Sequence, residues 1–113
     1  MEKNQLHTYQ EYSDERFTKR VIYKTEESVV FILNFMPGQQ LPRHNHPGTH
    51  VFLLILEGTG TMIADDQEVL AMKGDLLKVD GEEQFAIRND GDQRLSIHVM
   101  LNKIPDERYA KDV

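Results

Sequence analysis

Residues 38–50 read GQQLPRHNHPGTH and hold three of the chain's five histidines. His44 and His46 are two apart, so on an extended strand both imidazoles leave the same face. Pro47-Gly48 signals a reversal that can bring His50 back beside them from the next strand. Three neutral imidazoles converging on one point suit a borderline divalent metal, since they offer lone pairs of the right softness without a large desolvation cost. The stretch predicts a metal site on a small β scaffold, with His44, His46 and His50 as ligands.

On either side of it, short strand signals alternate with turn signals, and helical periodicity is nearly absent. Strands are expected over 17–24, 29–36, 41–46, 49–56, 60–64, 68–71, 76–79, 84–89 and 94–102. Thr25-Glu26-Glu27-Ser28, Pro37-Gly38, Glu57-Gly58, Asp65-Asp66, Lys73-Gly74-Asp75, Asp80-Gly81 and Asp90-Gly91-Asp92 punctuate them. About nine short strands at this spacing predict an all-β sandwich or barrel. The segment 1–16 reads as an N-terminal arm, and the polar tail 103–113 as a short helix or a loose end.

Length and composition narrow the class. A chain of 113 residues is one domain, long enough for a core but too short for a second module. Its net charge of −6 makes nucleic acid and anionic membrane poor partners, and no basic cluster overrides that sign. The absence of cysteine excludes disulfides, zinc-finger sites and cysteine nucleophiles, and fits a reducing compartment. The first seventeen residues contain no apolar signal-peptide core, and the longest apolar run, Val51 to Leu56, is far too short to span a bilayer. A soluble cytoplasmic protein is expected.

The order of these signals resembles the cupin family, a small double-stranded β-helix (a jelly-roll barrel), over roughly residues 29–101. The family's first motif reads G-x5-H-x-H-x3-4-E-x6-G, and Gly38, His44, His46 and Gly58 stand at its spacing. The second reads G-x5-P-x-G-x2-H-x3-N, and only its ends match, at Gly74 and Asn89. Asp80 stands in place of the proline, Glu82 of the glycine and Phe85 of the histidine.

In metal-binding cupins the H-x-H pair, the glutamate and the second-motif histidine make the coordination sphere. Here the glutamate position falls on Val51 when counted back from Gly58, and on His50 when counted forward from His46. His50 faces the site only if a β-bulge adds a residue before Gly58, as is common at barrel rims. Without one, alternation points Val51, Leu53 and Ile55 inward and His50 out. The ligand count is then three histidines or two. Phe85 shares a strand face with Ile87 and Asn89, so its ring should point where the missing histidine would. The pocket is expected to be lined by Gln40, Val51, Phe85 and Ile87.

Other residues read as structural. His98 lies opposite the core face of Leu95, Ile97, Val99 and Leu101, and His7 lies in the polar arm. Asp65-Asp66 and Glu82-Glu83 are hairpin tips, and Gly58, Gly60 and Gly74 are turn and bulge glycines. VFLLIL at 51–56 is apolar on both faces, which implies a cover outside the barrel. A homodimer through that face is expected, as is common in cupins; the alternative cover is the arm, with Tyr9, Tyr12 and Phe17.

Two functional classes follow. In one, the histidines hold a single Fe, Mn, Ni or Zn ion, and the protein is a metal-dependent enzyme of dioxygenase or isomerase type acting on a small molecule. In the other, it is a metal-free or metal-sensing module that binds a small molecule in a largely apolar cavity without catalysis. Fold alone does not select a substrate.

Overall fold

The computed structural model describes residues 1–103. After a 3-10 turn at Leu6–Tyr9 the chain forms nine strands. They are β1 (Thr18–Lys24), β2 (Ser28–Phe35), β3 (Gln40–His44), β4 (Thr49–Glu57), β5 (Thr59–Ala64), β6 (Gln67–Met72), β7 (Leu76–Asp80), β8 (Phe85–Arg88) and β9 (Leu95–Lys103). One sheet runs β1-β2-β9-β4-β7, the other β3-β8-β5-β6, and every pair is antiparallel. This is the all-β architecture expected from the strand spacing, in the double-stranded β-helix form that the cupin resemblance implies. The tail from residue 104 lies outside the described residues. Among those described, no helix is long and apolar enough to cross a membrane.

Alternation fills the space between the sheets. Phe31, Leu33 and Phe35 of β2, Val51, Leu53 and Ile55 of β4, and Leu95, Ile97 and Val99 of β9 point inward and are buried. Phe85 and Ile87 of β8 and Met62 of β5 face them from the other sheet. Removing such side chains from water supplies most of the drive for closure, at about 1.5–3 kcal/mol each.

One end of the barrel is tied shut by Asn89, which is 1% exposed. Its side-chain amide donates to the carbonyl of Phe35 at 3.1 Å and to that of Gln93 at 2.8 Å. Its own backbone donates to Gln39 O at 3.0 Å and accepts from Gly38 N at 2.7 Å. At the same end Gly58 (φ 78°) brings backbone so close to Arg94 that a Cβ would collide with the Arg94 carbonyl.

The outer face of the five-stranded sheet is only partly covered. The arm crosses β1 and β2: Asn34 donates to Tyr9 O at 2.9 Å, Thr18 to Glu11 O, and Tyr23 to Glu2 O at 3.2 Å. Beneath it Asn34 also bonds Thr18 Oγ1 and Ser96 Oγ, so this buried amide is satisfied. Ile32, on that same outer face, is fully buried. Farther across the sheet, His98 lies between Ile32 and Leu54, and burial there pushes its imidazole below the ordinary range. Beyond the arm, Phe52 and Leu54 are half-buried and Leu76 is 72% exposed.

Asn89→Ala should cost about 1–3 kcal/mol, because the buried Phe35 carbonyl loses its donor and the part-buried bond to Gln93 is lost with it. Urea unfolding of the variant measures this; an unchanged midpoint and slope would show that the Phe35 and Gln93 carbonyls find other partners.

Candidate functional site

The opposite end of the barrel is open. A cavity of about 240 Å³ lies there, lined by Phe31, Leu33, Val51, Val99 and Leu101 from the five-stranded sheet and by Leu41, His44, His46 and Phe85 from the other side. Phe17 and Lys19 complete it at the β1 edge. Its walls are almost entirely apolar, and its polar groups are two imidazoles and one ammonium.

The H-x-H pair is held by backbone. β3 ends at His44, so His46 lies beyond the strand in a tight loop and not, as expected, within it. His46 N donates to Gly81 O at 2.8 Å, Gly81 N donates to Thr49 O at 2.9 Å, and Thr49 Oγ1 donates to His46 O at 2.8 Å. Glu82 accepts from Gly48 N at 3.0 Å. A Cβ at residue 81 would collide with the carbonyl oxygens of His46 and Thr49. Gly81 thus provides the close backbone approach beneath this loop, one position before the residue that motif counting assigned to glycine.

The His44 and His46 rings meet edge to face, centroids 4.8 Å apart, and the Phe85 ring lies 6.1 Å from His44. His44 Nδ1 is 2.9 Å from Pro42 O. A carbonyl only accepts, so Nδ1 carries a proton, and in the neutral ring Nε2 keeps a free lone pair. Burial holds the His46 imidazole below the ordinary range, and the nearby His44 and Lys19 act in the same direction. Lys19 Nζ rests 4.4 Å from the centroid of Phe31.

His50 is not brought to this cluster. A bulge does occur before Gly58, in the β4–β9 pairing between Ile55 and Glu57. It comes too late to change the parity of residues 50–55, so Val51 faces the cavity and His50 the outside. There His50 Nδ1 is 3.5 Å from Asp80 Oδ1 without forming a hydrogen bond. Among the described residues no group of three His, Cys, Asp or Glu side chains could hold a metal. Two other positions also differ from expectation. Gln40 is exposed and Leu41 takes its place in the cavity wall, because β3 carries an irregularity between Leu41 and His44 that sets both of these inward. Ile87 does point inward, but it is fully buried in the core and does not line the cavity.

Residues 31–101 match the family model described as the cupin domain, and the chain belongs to the cupin family. Among solved structures it is similar to TT1209 from Thermus thermophilus, at 22% identity and a TM-score of 0.86, over 93% of this chain and 100% of that one. It is also similar to an uncharacterized conserved protein with a double-stranded β-helix domain from Klebsiella pneumoniae, at 17% identity and a TM-score of 0.85, covering 91% of this chain and 90% of that one. An RmlC-like cupin protein from Desulfovibrio desulfuricans is 24% identical with a TM-score of 0.75, covering 88% and 95% of the two chains. Likeness at these identities establishes the fold. No curated protein matches the sequence.

The residues present do not fit the metal sphere of metal-binding cupins. Of its four ligand positions, two carry imidazoles, and the others carry Val51 and Phe85, which have no donor atoms. Gly81→Ala should lower stability by about 1–3 kcal/mol through overpacking. It should also shift the imidazole NMR signals of His44 and His46 while leaving those of His98 in place. Unchanged stability and spectra would mean that the 46–49 loop does not lean on residue 81.

Proposed function

We propose that this cupin is a small-molecule binding module whose cavity takes a largely apolar ligand, without a protein-built metal centre. The observation that carries the reading is the pairing of Val51 and Phe85 with His44 and His46 around one cavity. With the glutamate and histidine positions both apolar, two imidazoles are left. That is too few to compete with water and buffer for a labile ion. An apolar wall, by contrast, gives a ligand's hydrocarbon surface about 25 cal/mol for each Å² withdrawn from water.

A second reading, a metal-dependent enzyme of dioxygenase or isomerase type, is favoured by one feature. His44 Nδ1 is fixed on a backbone carbonyl and its Nε2 lone pair is free, as in oriented metal ligands. On that reading the ion would be Fe, Mn, Ni or Zn, held by His44 and His46 with its other donors supplied from outside the chain.

Elemental analysis of protein purified without an affinity tag, after incubation with each of these ions, separates the two. The parent should carry well under one equivalent. The double variant Val51→Glu/Phe85→His should take up close to one, because it restores both missing donors. Near-stoichiometric metal in the parent, lost in His44→Ala and in His46→Ala, would overturn the binding-module reading in favour of the second. Toluene, a neutral apolar probe, should shift the NMR signals of Val51, Phe85 and Val99 in the parent.

We also propose a homodimer through the part of the outer face that the arm leaves open. Cross-strand pairing lines up His98, Leu54 and Leu76 in one row and Met100, Phe52 and Lys78 in the next. A second copy covering these rows would withdraw Leu76 and Leu54 from water. Sedimentation equilibrium should give about twice the 13.1 kDa chain mass, and Leu54→Lys should return it to that mass. A parent that sediments as a monomer at micromolar concentration refutes the pairing.

A further inference from the structure

Lys19 belongs to β1, whose residues precede the cupin match at 31–101. It pairs with Leu33, an inward residue, so strand alternation sends its side chain toward the cavity and not to the outer face. Its neighbours Thr18 and Arg20 pair with the outward residues Asn34 and Ile32. The Lys19 stem passes along Phe31 and the ammonium stops over the ring. This lets the apolar stem cover apolar wall while the charged head stays at the mouth.

Among the described residues the charge there has no counterpart. None of the described Asp or Glu residues lines the cavity. Among the described residues, the ion pairs join Arg20 to Glu11, His50 and Lys78 to Asp80, and Arg88 to Glu68 and Asp90, and none involves Lys19. Glu15 borders an outer groove that Lys19 also touches, but it makes no ion pair with Lys19. The two imidazoles lie at the same polar end of the cavity, and neither the His46 ring nor His44 Nε2 has a hydrogen-bond partner among the described residues. The mouth therefore offers one fixed positive charge, a free imidazole donor on His46 and a free acceptor on His44, above a floor of hydrocarbon.

From this arrangement we infer that the ligand is a small monocarboxylate with an apolar body, its carboxylate held by Lys19 and His46 and its body seated against Val51, Phe85 and Val99. The inference rests on the binding-module reading above and assigns the charge of the ligand's head group. Size sets the body. An engineered apolar cavity of roughly 150 Å³ takes benzene. The cavity here, at about 240 Å³, takes one ring with a short side chain. A hydroxyl next to the carboxylate would find its acceptor in His44 Nε2. A cationic ligand is opposed by Lys19, and a dicarboxylate would press its second charge into the hydrocarbon floor.

Calorimetric titration with phenylacetate, its neutral isostere phenylacetamide, and toluene tests the assignment on the full chain. At neutral pH phenylacetate should bind about tenfold tighter than phenylacetamide, as a charge-assisted hydrogen bond at a partly open rim implies. Lys19→Met keeps the stem and removes the charge, so it should bring the two affinities level. Lys19→Arg should keep the preference. Lys19 is exposed on a strand edge, so both variants should unfold at the parent's urea midpoint. Equal affinity for acid and amide in the parent, or a preference that survives Lys19→Met, overturns the head-group assignment; toluene binding in that case leaves the apolar pocket intact. If none of the three probes binds, the pocket reading and this inference fall together.

Discussion

The barrel is organised around one buried amide. Asn89 joins the end of β8 in one sheet to the end of β2 in the other, and its carbonyl and N–H also take up the turn at residues 38–39. The Phe35 carbonyl is buried and needs a partner within the protein, and the others lie at the partly covered end of the barrel. A side chain that donates twice and accepts once, from Gly91 N, meets that need with a single residue. Phe35 and Leu95 are fully buried behind it, so the core is packed at this end of the barrel. The cavity lies at the other end, where the loop carrying His46 is held against Gly81.

The two apolar replacements at the ligand positions depend on each other physically. A glutamate at residue 51 without a metal would be a carboxylate against Leu101, Val99 and Phe31, with two imidazoles and the Lys19 ammonium at the mouth as its polar neighbours in the cavity. Isolated charge in such surroundings costs several kcal/mol unless it is paired and fully hydrogen-bonded. A histidine at residue 85 would add a third unpaired imidazole to the same wall. Valine and phenylalanine together remove both problems and extend the hydrocarbon surface. The cavity therefore remains consistent in its chemistry: an apolar floor below, with polar groups confined to the rim.

Much of the fold is legible in the sequence because it depends on local signals. Turn residues and period-two alternation place all nine strands to within one or two residues. Parity also gives Val51 and Phe85 their inward direction. It fails where pairing is irregular: the bulge after Ile55 exists but comes too late to turn His50, and the irregularity in β3 exchanges Gln40 for Leu41. Depth is a second blind spot. Ile87 and Phe85 share a face, yet Ile87 lies below the cavity floor, and alternation says nothing about distance along the barrel axis. In sequence Gly81 reads only as a turn glycine, since the close approach it permits involves backbone more than thirty positions away.

Lys19 is invisible in the sequence for a related reason. It stands in TKRVIYK, an ordinary polar strand with no motif around it. Only the register with β2 sets it inward, and only the adjoining sheet edge leaves its ammonium at the mouth. The cupin core supplies the histidine pair and most of the apolar wall, which are the parts a family pattern can predict. Phe17, stacked 5.4 Å from Phe35, and Lys19 come from outside that core and close the cavity along its β1 edge. Phe17 packs on the core and Thr18 is buried beside Asn34, but Lys19 next to them is exposed at the cavity. The charge at the mouth is therefore set by a residue outside the stretch that matches the cupin domain.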